Sequence, residues 1–232
     1  MILNVMTYNI HGGKDKRGKL RLNDVADIIK QSKADIVGLQ EVDKFAARSK
    51  FINEIWFLSK KLRMCYAYGA NIRLGIGFFG NGILSKFPIK MSQNYYLPSK
   101  GERRGILITQ IILPDNNLWF LTTHLGLDEN ERINQTEEIL KIIKRQGRPL
   151  ILTGDFNETP GNKAYNRLKE VLVETSEKLS SDYSSFALGN EPDIKIDYIM
   201  HTNDIIPESI GTIMSDCSDH LPVISTLDIP VS

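Results

Sequence analysis

The sequence has 232 residues, of which 41% are hydrophobic and 25% are charged, and this composition excludes an intrinsically disordered chain. Its two cysteines, Cys65 and Cys217, are too few for a disulfide scaffold, so we expect a reducing, cytoplasmic environment. The net charge of +1 argues against a dedicated electrostatic surface for long nucleic acid.

Apolar runs that end at Gly, Pro, Asn or Asp recur along the chain and predict β-strands. They lie at 2–8, 35–40, 79–85, 104–113, 117–123, 149–154, 195–201 and 221–227. Helical spacing predicts three helices: one capped by Asn23, one over 52–63, and one from Asp128 through Arg145. Because strands outnumber helices and many are joined by short turns, we predict a single α+β domain over 1–232. Its sheets would be mainly antiparallel, with the helices outside.

The near-neutral net charge hides an uneven distribution of charge. Residues 44–104 contain 12 Lys/Arg and 2 Asp/Glu, and 11 of the 19 aromatic residues, whereas residues 105–232 contain 10 Lys/Arg and 20 Asp/Glu. A basic and aromatic segment suits a surface for phosphates, bases or anionic lipid. The alternative is a solvated face over an aromatic core, and both interpretations stay open. No apolar run approaches the ~18 residues of a membrane span, and no signal peptide is visible.

Polar residues with catalytic potential stand at the ends of several predicted strands. They are Asn9, Glu41, His124, Asp155, Asn157, Asp197, Asp219 and His220. Each alone has an ordinary structural explanation, such as a turn at Gly154-Asp155. Their joint occurrence favours a functional site, because strand ends are rigid platforms for side chains. We interpret His11 and His201 as structural or surface residues.

The residue types in this set suit metal-assisted hydrolysis of phosphate esters. The oxygens of the Asp, Glu and Asn side chains are hard ligands that select Mg²⁺ or Mn²⁺, and no Cys/His cluster has zinc spacing. His220 can act as a general base if Asp197 fixes its tautomer. His124 and Asn157 can stabilise charge on phosphoryl oxygens. Asp219 and His220 are adjacent, so both reach one site only where the backbone is irregular.

The order of these motifs resembles the endonuclease/exonuclease/phosphatase superfamily, which includes deoxyribonucleases, neutral sphingomyelinases and inositol polyphosphate phosphatases. The motifs are Tyr8-Asn9, Leu39-Gln40-Glu41, Thr123-His124-Leu125, Gly154-Asp155-Phe156-Asn157, Ile196-Asp197-Tyr198 and Ser218-Asp219-His220. The resemblance covers residues 4–223 and implies a four-layer α/β/β/α sandwich.

The resemblance also implies a cofactor. The expected ion is Mg²⁺, with Mn²⁺ as a substitute, held chiefly by Glu41 with Asn9 and Asp219 near it. His220, in a pair with Asp197, would activate water or stabilise the transition state.

Further roles follow from the same resemblance. Asn157 would contact the phosphate, and Asp155 would position water, transfer a proton or hold a second metal. In the deoxyribonuclease branch a second histidine pairs with a glutamate, and here that pair would be His124 and Glu102. The sequence Gly154–Pro160 is more similar to the phosphatase and sphingomyelinase side of the superfamily.

We therefore predict a soluble, monomeric, Mg²⁺-dependent phosphoesterase that acts on a compact phosphodiester or phosphomonoester, which can be lipid-borne. Arg48 and Arg104 are candidate phosphate ligands in the basic segment. The glycine-rich residues 69–80 are a candidate mobile substrate loop, and the alternative is that Phe79 starts a core strand. Two other functions stay open: a sequence-tolerant DNA or RNA nuclease, and a catalytically silent binding module.

Overall fold

The structure is a computed structural model, and it describes residues 1–187 and 193–231. These residues form twelve strands: β1 Ile2–Asn9, β2 Ile36–Lys44, β3 Cys65–Leu74, β4 Gly77–Ser85, β5 Ile89–Tyr96, β6 Gly105–Ile112, β7 Asn117–His124, β8 Leu150–Asp155, β9 Val173–Glu174, β10 Asp197–His201, β11 Ile206–Thr212 and β12 Val223–Asp228. The α-helices are α1 Leu22–Gln31, α2 Glu54–Leu62, α3 Glu129–Ile143, α4 Lys163–Lys169 and α5 Thr175–Lys178, and short 3-10 helices cover His11–Gly13 and Ala47–Ser49.

The strands form two six-stranded sheets. The first has the order β11-β12-β1-β2-β4-β3 and the second β5-β6-β7-β8-β10-β9. Each contains one parallel pair, β1 with β2 and β7 with β8, and the other pairs are antiparallel. Helices α1 and α3 connect the strands of the two parallel pairs, as parallel pairing requires.

Three apolar clusters separate four layers. One lies between the facing sides of the sheets, one lies under α1 and α2, and one lies under α3 and α4. Examples are Val5 with Phe120 in the first, Val25 with Leu39 in the second, and Ile139 with Leu152 in the third. The predicted four-layer α/β/β/α sandwich with mainly antiparallel sheets is confirmed.

The two sheets approach each other closely next to the ends of β1 and β2. A Cβ on Gly38 would lie 2.2 Å from the Thr153 hydroxyl oxygen and 2.8 Å from that of Thr122, so only glycine fits there. Two positions further along β2, the Gln40 amide donates a 2.8 Å hydrogen bond to Thr122 Oγ1 in the opposite sheet. These contacts fix the spacing between the sheets.

Two of the predicted helix starts have different outcomes. Asp128 caps α3 as predicted, with its carboxylate accepting from the Glu131 amide at 2.9 Å. Asn23 is not the cap of α1, because that helix begins at Leu22 and the Asn23 side chain accepts from Lys61 instead. Among the described residues, no helix is long and apolar enough to cross a membrane.

The glycine-rich residues 69–80 belong to the β3–β4 hairpin rather than to a loop. Its turn is at Gly75-Ile76, and the Ile76 side chain is 73% exposed. Phe79 is 7% exposed and lies in β4, so the core-strand alternative for Phe79 is correct.

Candidate functional site

The topology brings the predicted site residues to one edge of the two sheets. Strands β1, β2, β7 and β8 all end there, and β10 begins there because it runs antiparallel to β8 with Asp197 opposite Asp155. The irregular segment before β12 reaches the same edge. The side chains assembled are Asn9, Glu41, His124, Asp155, Asn157, Asp197, Asp219 and His220.

His220 and Asp197 form a buried pair. The His220 Nδ1 atom lies 2.8 Å from Asp197 Oδ2, and the Phe186 ring lies 4.7 Å from the imidazole between ring centroids. Burial acts to lower the pKa of His220, but the carboxylates of Asp197, Asp155 and Asp219 outweigh it and raise that pKa to about 10. In the metal-free protein His220 is therefore an imidazolium whose orientation Asp197 fixes.

Asp155 is the hub of the cluster. Its Oδ2 lies 3.0 Å from Asn9 Nδ2, 3.4 Å from His124 Nε2 and 3.5 Å from His220 Nε2. Its Oδ1 accepts from the backbone amide of Asn157 at 2.9 Å. Burial raises the pKa of Asp155 above its ordinary value, although both histidines act to lower it. Asp155 therefore joins the residues contributed by both sheets.

His124 contacts Arg104 instead of Glu102. Its Nδ1 lies 3.2 Å from Arg104 Nη1, and that same Nη1 donates to Glu102 Oε1 at 2.7 Å. The predicted direct pair of His124 with Glu102 is therefore not formed in this structure, because the Arg104 guanidinium lies between them. Arg104 thus connects Glu102 to His124.

Burial keeps the His124 ring in its neutral form. Burial lowers the pKa of His124 to about 3, so the ring is neutral. Both ring nitrogens face N–H donors, Arg104 Nη1 at Nδ1 and Asn157 Nδ2 at Nε2, and a neutral imidazole accepts through only one nitrogen, so the two donors compete for it. Asn157 Nδ2 is 3.0 Å from the same Nε2 and donates to the Leu125 carbonyl at 2.9 Å.

Three site residues have left-handed backbone conformations, which are uncommon outside glycine. They are His11 (φ 50°), Glu41 (φ 57°) and Asn157 (φ 48°). At Glu41 the register of β2 against β4 shifts between Leu39 and Val42, as in a β-bulge. Such conformations concentrate at functional sites, where the surrounding structure holds them.

Glu41 has a carboxylate oxygen available for a cation. Its Oε1 accepts from Asn9 Nδ2 at 3.0 Å, and its Oε2 has no hydrogen-bond partner in residues 1–187 and 193–231. The group is half-buried, and its neighbours supply further hard oxygen atoms. These residues fit a Mg²⁺ or Mn²⁺ ion.

Asp219 faces His11, a residue that sequence reasoning assigned only a structural role. His11 Nδ1 lies 3.0 Å from Asp219 Oδ1, and this bond raises the pKa of His11. Burial acts to raise the pKa of Asp219, but the His11 bond and the charge of His220 lower it to about 2. Asp219 is therefore ionised at neutral pH. No sequence motif indicated that His11 would be its partner.

A geometric group of possible metal ligands differs from the predicted one. Ligand atoms of Asp155, Asp197 and His220 lie within 4.8 Å of one another. The His220 Nδ1 atom is already engaged by Asp197, so we interpret this group as handling protons. Glu41 with Asn9 and Asp219 remains the predicted metal site.

The two candidate phosphate ligands lie in different surroundings. Arg48 is half exposed and forms three hydrogen bonds with the fully buried carboxylate of Asp43, the shortest ones at 2.9 Å. Arg104 is 7% exposed and is committed to Glu102 and His124. A phosphate role for either arginine stays a prediction.

A buried carboxyl group behind Asp43 makes the stability of the fold dependent on pH. Glu54 is fully buried, and its Oε2 accepts from the Asp43 amide at 2.7 Å. Burial raises the pKa of Glu54 from 4.5 to about 8. Between pH 4.5 and 8 the carboxyl group is protonated in the folded state, whereas in the unfolded chain it has lost its proton. The contribution of Glu54 to the free energy of unfolding is therefore full below pH 4.5 and is lost as the pH rises towards 8.

We expect Glu54→Gln to remove this dependence. The amide oxygen of glutamine can still accept from the Asp43 amide, so the variant should match the wild type near pH 5 and have the higher Tm at pH 8. Thermal unfolding at both pH values measures the difference. Glu208→Gln, at an exposed position, is the control and should leave the difference in Tm between the two pH values as it is in the wild type. Identical pH profiles for wild type and Glu54→Gln would contradict the assignment.

Comparisons with known proteins assign the chain to one family. The sequence profile of the endonuclease/exonuclease/phosphatase family matches residues 6–220. The uncharacterized protein YbhP of Escherichia coli K12 is 31% identical over 167 residues, which span 66% of this chain and 66% of YbhP. The match thus covers just under two thirds of that relative. The protein cwh43 of Schizosaccharomyces pombe is 27% identical over 150 residues, 63% of this chain and 15% of cwh43.

Solved structures share the fold at low identity. An endonuclease/exonuclease/phosphatase family protein from Bacteroides thetaiotaomicron has a TM-score of 0.82 at 20% identity and covers 100% of this chain and 99% of its own. A mannosyl-6-phosphatase from the same organism has a TM-score of 0.79 at 20% identity, and the match covers 98% of this chain and 100% of the phosphatase chain. TDP2 from D. rerio, complexed with a single-strand DNA product, has a TM-score of 0.78 at 18% identity, and the match covers 98% of this chain and 99% of the TDP2 chain.

Proposed function

The chain belongs to the endonuclease/exonuclease/phosphatase family and is a hydrolase of phosphoric esters, and from this premise we propose that it is a divalent-metal-dependent phosphoesterase for a compact phosphate ester. The observation that carries the proposal is the buried cluster in which Asp155 contacts Asn9, His124 and His220 beside the accessible carboxylate of Glu41. Such a cluster can bind a phosphate and move a proton in one place.

The proposed metal site consists of Glu41, with Asn9 and Asp219 near it. A bound Mg²⁺ or Mn²⁺ ion would offset negative charge on the phosphoryl oxygens. The bulge in β2 directs the Glu41 carboxylate to the edge where the other residues lie. The Asn9 amide holds one oxygen of that carboxylate and so orients the group.

The proposed acid–base group is His220. Asp197 holds its Nδ1, so Nε2 is the nitrogen that faces Asp155 and the reacting phosphate. The protonated ring stabilises charge on the phosphate, and the neutral ring takes a proton from the attacking water. With a cation bound at Glu41, the pKa of His220 would be lower and the neutral form would be favoured.

The neutral side chains of His124 and Asn157 are proposed to bind phosphoryl oxygens. Neutral donors in a buried site stabilise developing negative charge without the cost of desolvating a cation. Asn157 is fixed by the Leu125 carbonyl and by its own left-handed backbone.

We propose a compact substrate for reasons of charge and shape, and a monomer in the cytoplasm as the working form. The net charge of +1 does not suit a long nucleic acid. Both cysteines are free, which suits a reducing compartment. Exposed Ile76 and Phe78 beside basic residues are the proposed point of contact for a lipid-borne substrate.

Chelation is the direct test. We expect excess EDTA to abolish hydrolysis of bis-4-nitrophenyl phosphate and added Mg²⁺ or Mn²⁺ to restore it, because the predicted ligands are hard oxygen atoms. In the Glu41→Gln variant, the same concentration of Mg²⁺ or Mn²⁺ should restore little of the hydrolytic activity. Plasmid DNA is the second substrate, at two salt concentrations. Full turnover in excess EDTA would contradict the metal-dependent mechanism. Cleavage of plasmid DNA with a steep salt dependence, and no hydrolysis of the small ester, would favour the nuclease function.

A further inference from the structure

A cavity lined by three arginines lies beside the catalytic cluster. It has a volume of about 490 Å³, and Arg48, Arg73 and Arg103 contribute their side chains to its wall together with Asn71 and Phe79. The volume lies in the range of small-molecule pockets. We call it the arginine cavity.

Hydrogen bonds connect the arginine cavity to both sides of the catalytic cluster. On one side, Arg48 binds Asp43, which lies two residues beyond Glu41 on β2. On the other side, Glu102 lines the cavity and binds Arg104, which contacts His124. A ligand in this cavity is therefore a neighbour of a phosphate bound at the cluster.

Two of the three arginines carry uncompensated charge. Arg73 donates from Nε to the Gly75 carbonyl at 3.0 Å, and Arg103 lies over the Tyr96 ring at 4.9 Å. Neither has a carboxylate partner in the described ranges 1–187 and 193–231, whereas the charge of Arg48 is balanced by Asp43. Glu102, the acidic group of the wall, is neutralised by Arg104. The cavity therefore has a net positive charge.

Aromatic rings hold two of these guanidinium groups in place. Arg48 lies over the Phe79 ring at 4.7 Å, and Arg103 lies over Tyr96. Stacking on a ring leaves the edge of a guanidinium available for bidentate hydrogen bonds to oxyanions. In Arg48 the edge formed by Nε and Nη2 already binds Asp43, whereas Arg103 has no carboxylate partner among the described residues. Because the groups are partly oriented before binding, less conformational entropy is lost when a ligand binds.

We propose that the arginine cavity binds a second phosphate group of the substrate, so that the preferred substrate is a phosphate ester bearing another phosphate. This inference rests on the proposed function, since it places the scissile phosphate at the catalytic cluster. A phosphate dianion matches several guanidinium forks better than a carboxylate does. The second phosphate belongs to a small bisphosphate or to a phosphorylated lipid headgroup, which share this chemistry.

Kinetics with matched substrates tests the preference. We expect the ratio of kcat/KM for glucose 1,6-bisphosphate over glucose 6-phosphate to exceed one and to fall about tenfold in Arg73→Gln and in Arg103→Gln, one charge-assisted contact each. The exposed Arg145→Gln, after α3, is the matched control and should leave the ratio unchanged. Vesicles of phosphatidylcholine with phosphatidylinositol 4-phosphate form the lipid arm, and turnover of that lipid alone would identify the headgroup as the source.

Binding without turnover separates this inference from the proposed function. We expect calorimetry in EDTA to detect inorganic pyrophosphate binding to the wild type and to His220→Ala, and to show at least tenfold weaker binding to the Arg73→Gln/Arg103→Gln double variant. This result would support the cavity even if no phosphate ester were hydrolysed. Equal binding by the double variant, or no binding by the wild type, would overturn the inference. Binding of duplex DNA with a steep salt dependence and no bisphosphate preference would overturn it in favour of a nucleic-acid surface.

Discussion

Replacing His220 with alanine is expected to lower kcat by ~10²–10⁴-fold, the usual loss for an acid–base group. The Nδ1 atom of this imidazole is held by the Asp197 carboxylate at 2.8 Å, while its Nε2 faces Asp155. Asp197→Asn should cause a loss of the same order, because an asparagine amide can hold the opposite tautomer. Steady-state kinetics with bis-4-nitrophenyl phosphate in saturating Mg²⁺ measures both.

The control for this prediction is His201, the histidine at the far end of β10. It is buried and its Nδ1 lies 2.9 Å from the Thr202 carbonyl oxygen, away from the cluster. His201→Gln should keep its kcat wherever it folds, as judged by circular dichroism and Tm. A folded His220→Ala protein with a near-normal rate would show that another group transfers the proton.

Asp155→Asn is expected to lower kcat/KM by ~10²–10⁴-fold, although it preserves the shape of the side chain. The carboxylate contacts Asn9, His124, His220 and the Asn157 amide at once. The asparagine oxygen can still accept from the Asn157 amide in place of Oδ1. Its NH2 group then replaces Oδ2 and would face the nitrogen atoms of Asn9, His124 and His220. We also expect the pKa of His220 to fall, because the Asp155 charge helps to raise it.

NMR titration of the His220 ring provides the second readout for Asp155→Asn, in metal-free protein. A lower pKa together with lost activity would support the role of Asp155 as hub. The matched control is Asp35→Asn, which removes a carboxylate next to the opposite end of β2, where it pairs with Lys86. If Asp155→Asn and Asp35→Asn retained the same activity, Asp155 would be a structural residue.

The parts of the fold that follow from local patterns could be predicted. The predicted strands each correspond to an observed strand, because their apolar residues face the buried clusters. Strands β3, β5, β9 and β11 lacked this signal. In β5, for example, Lys90 and Met91 are exposed, and the strand is held by hydrogen bonds to β6 at the edge of its sheet.

The site shows the same division between local and tertiary information. The motifs identified the residues of the cluster, since strand ends place them at one edge. The Arg104 bridge could not be predicted, because sequence spacing does not say which of two neighbouring side chains turns inward. His11 was missed for a related reason. Its contact with Asp219 joins residues more than 200 positions apart, and only tertiary structure shows it.

The close approach of the two sheets at Gly38 has a consequence for folding. Asn9 and Glu41 belong to one sheet, whereas His124, Asp155 and Asp197 belong to the other. Neither sheet alone contains a complete site, so an intermediate with both sheets formed but not docked has no catalytic centre. Recovery of activity during refolding therefore reports the docking of the two sheets and not the formation of secondary structure alone.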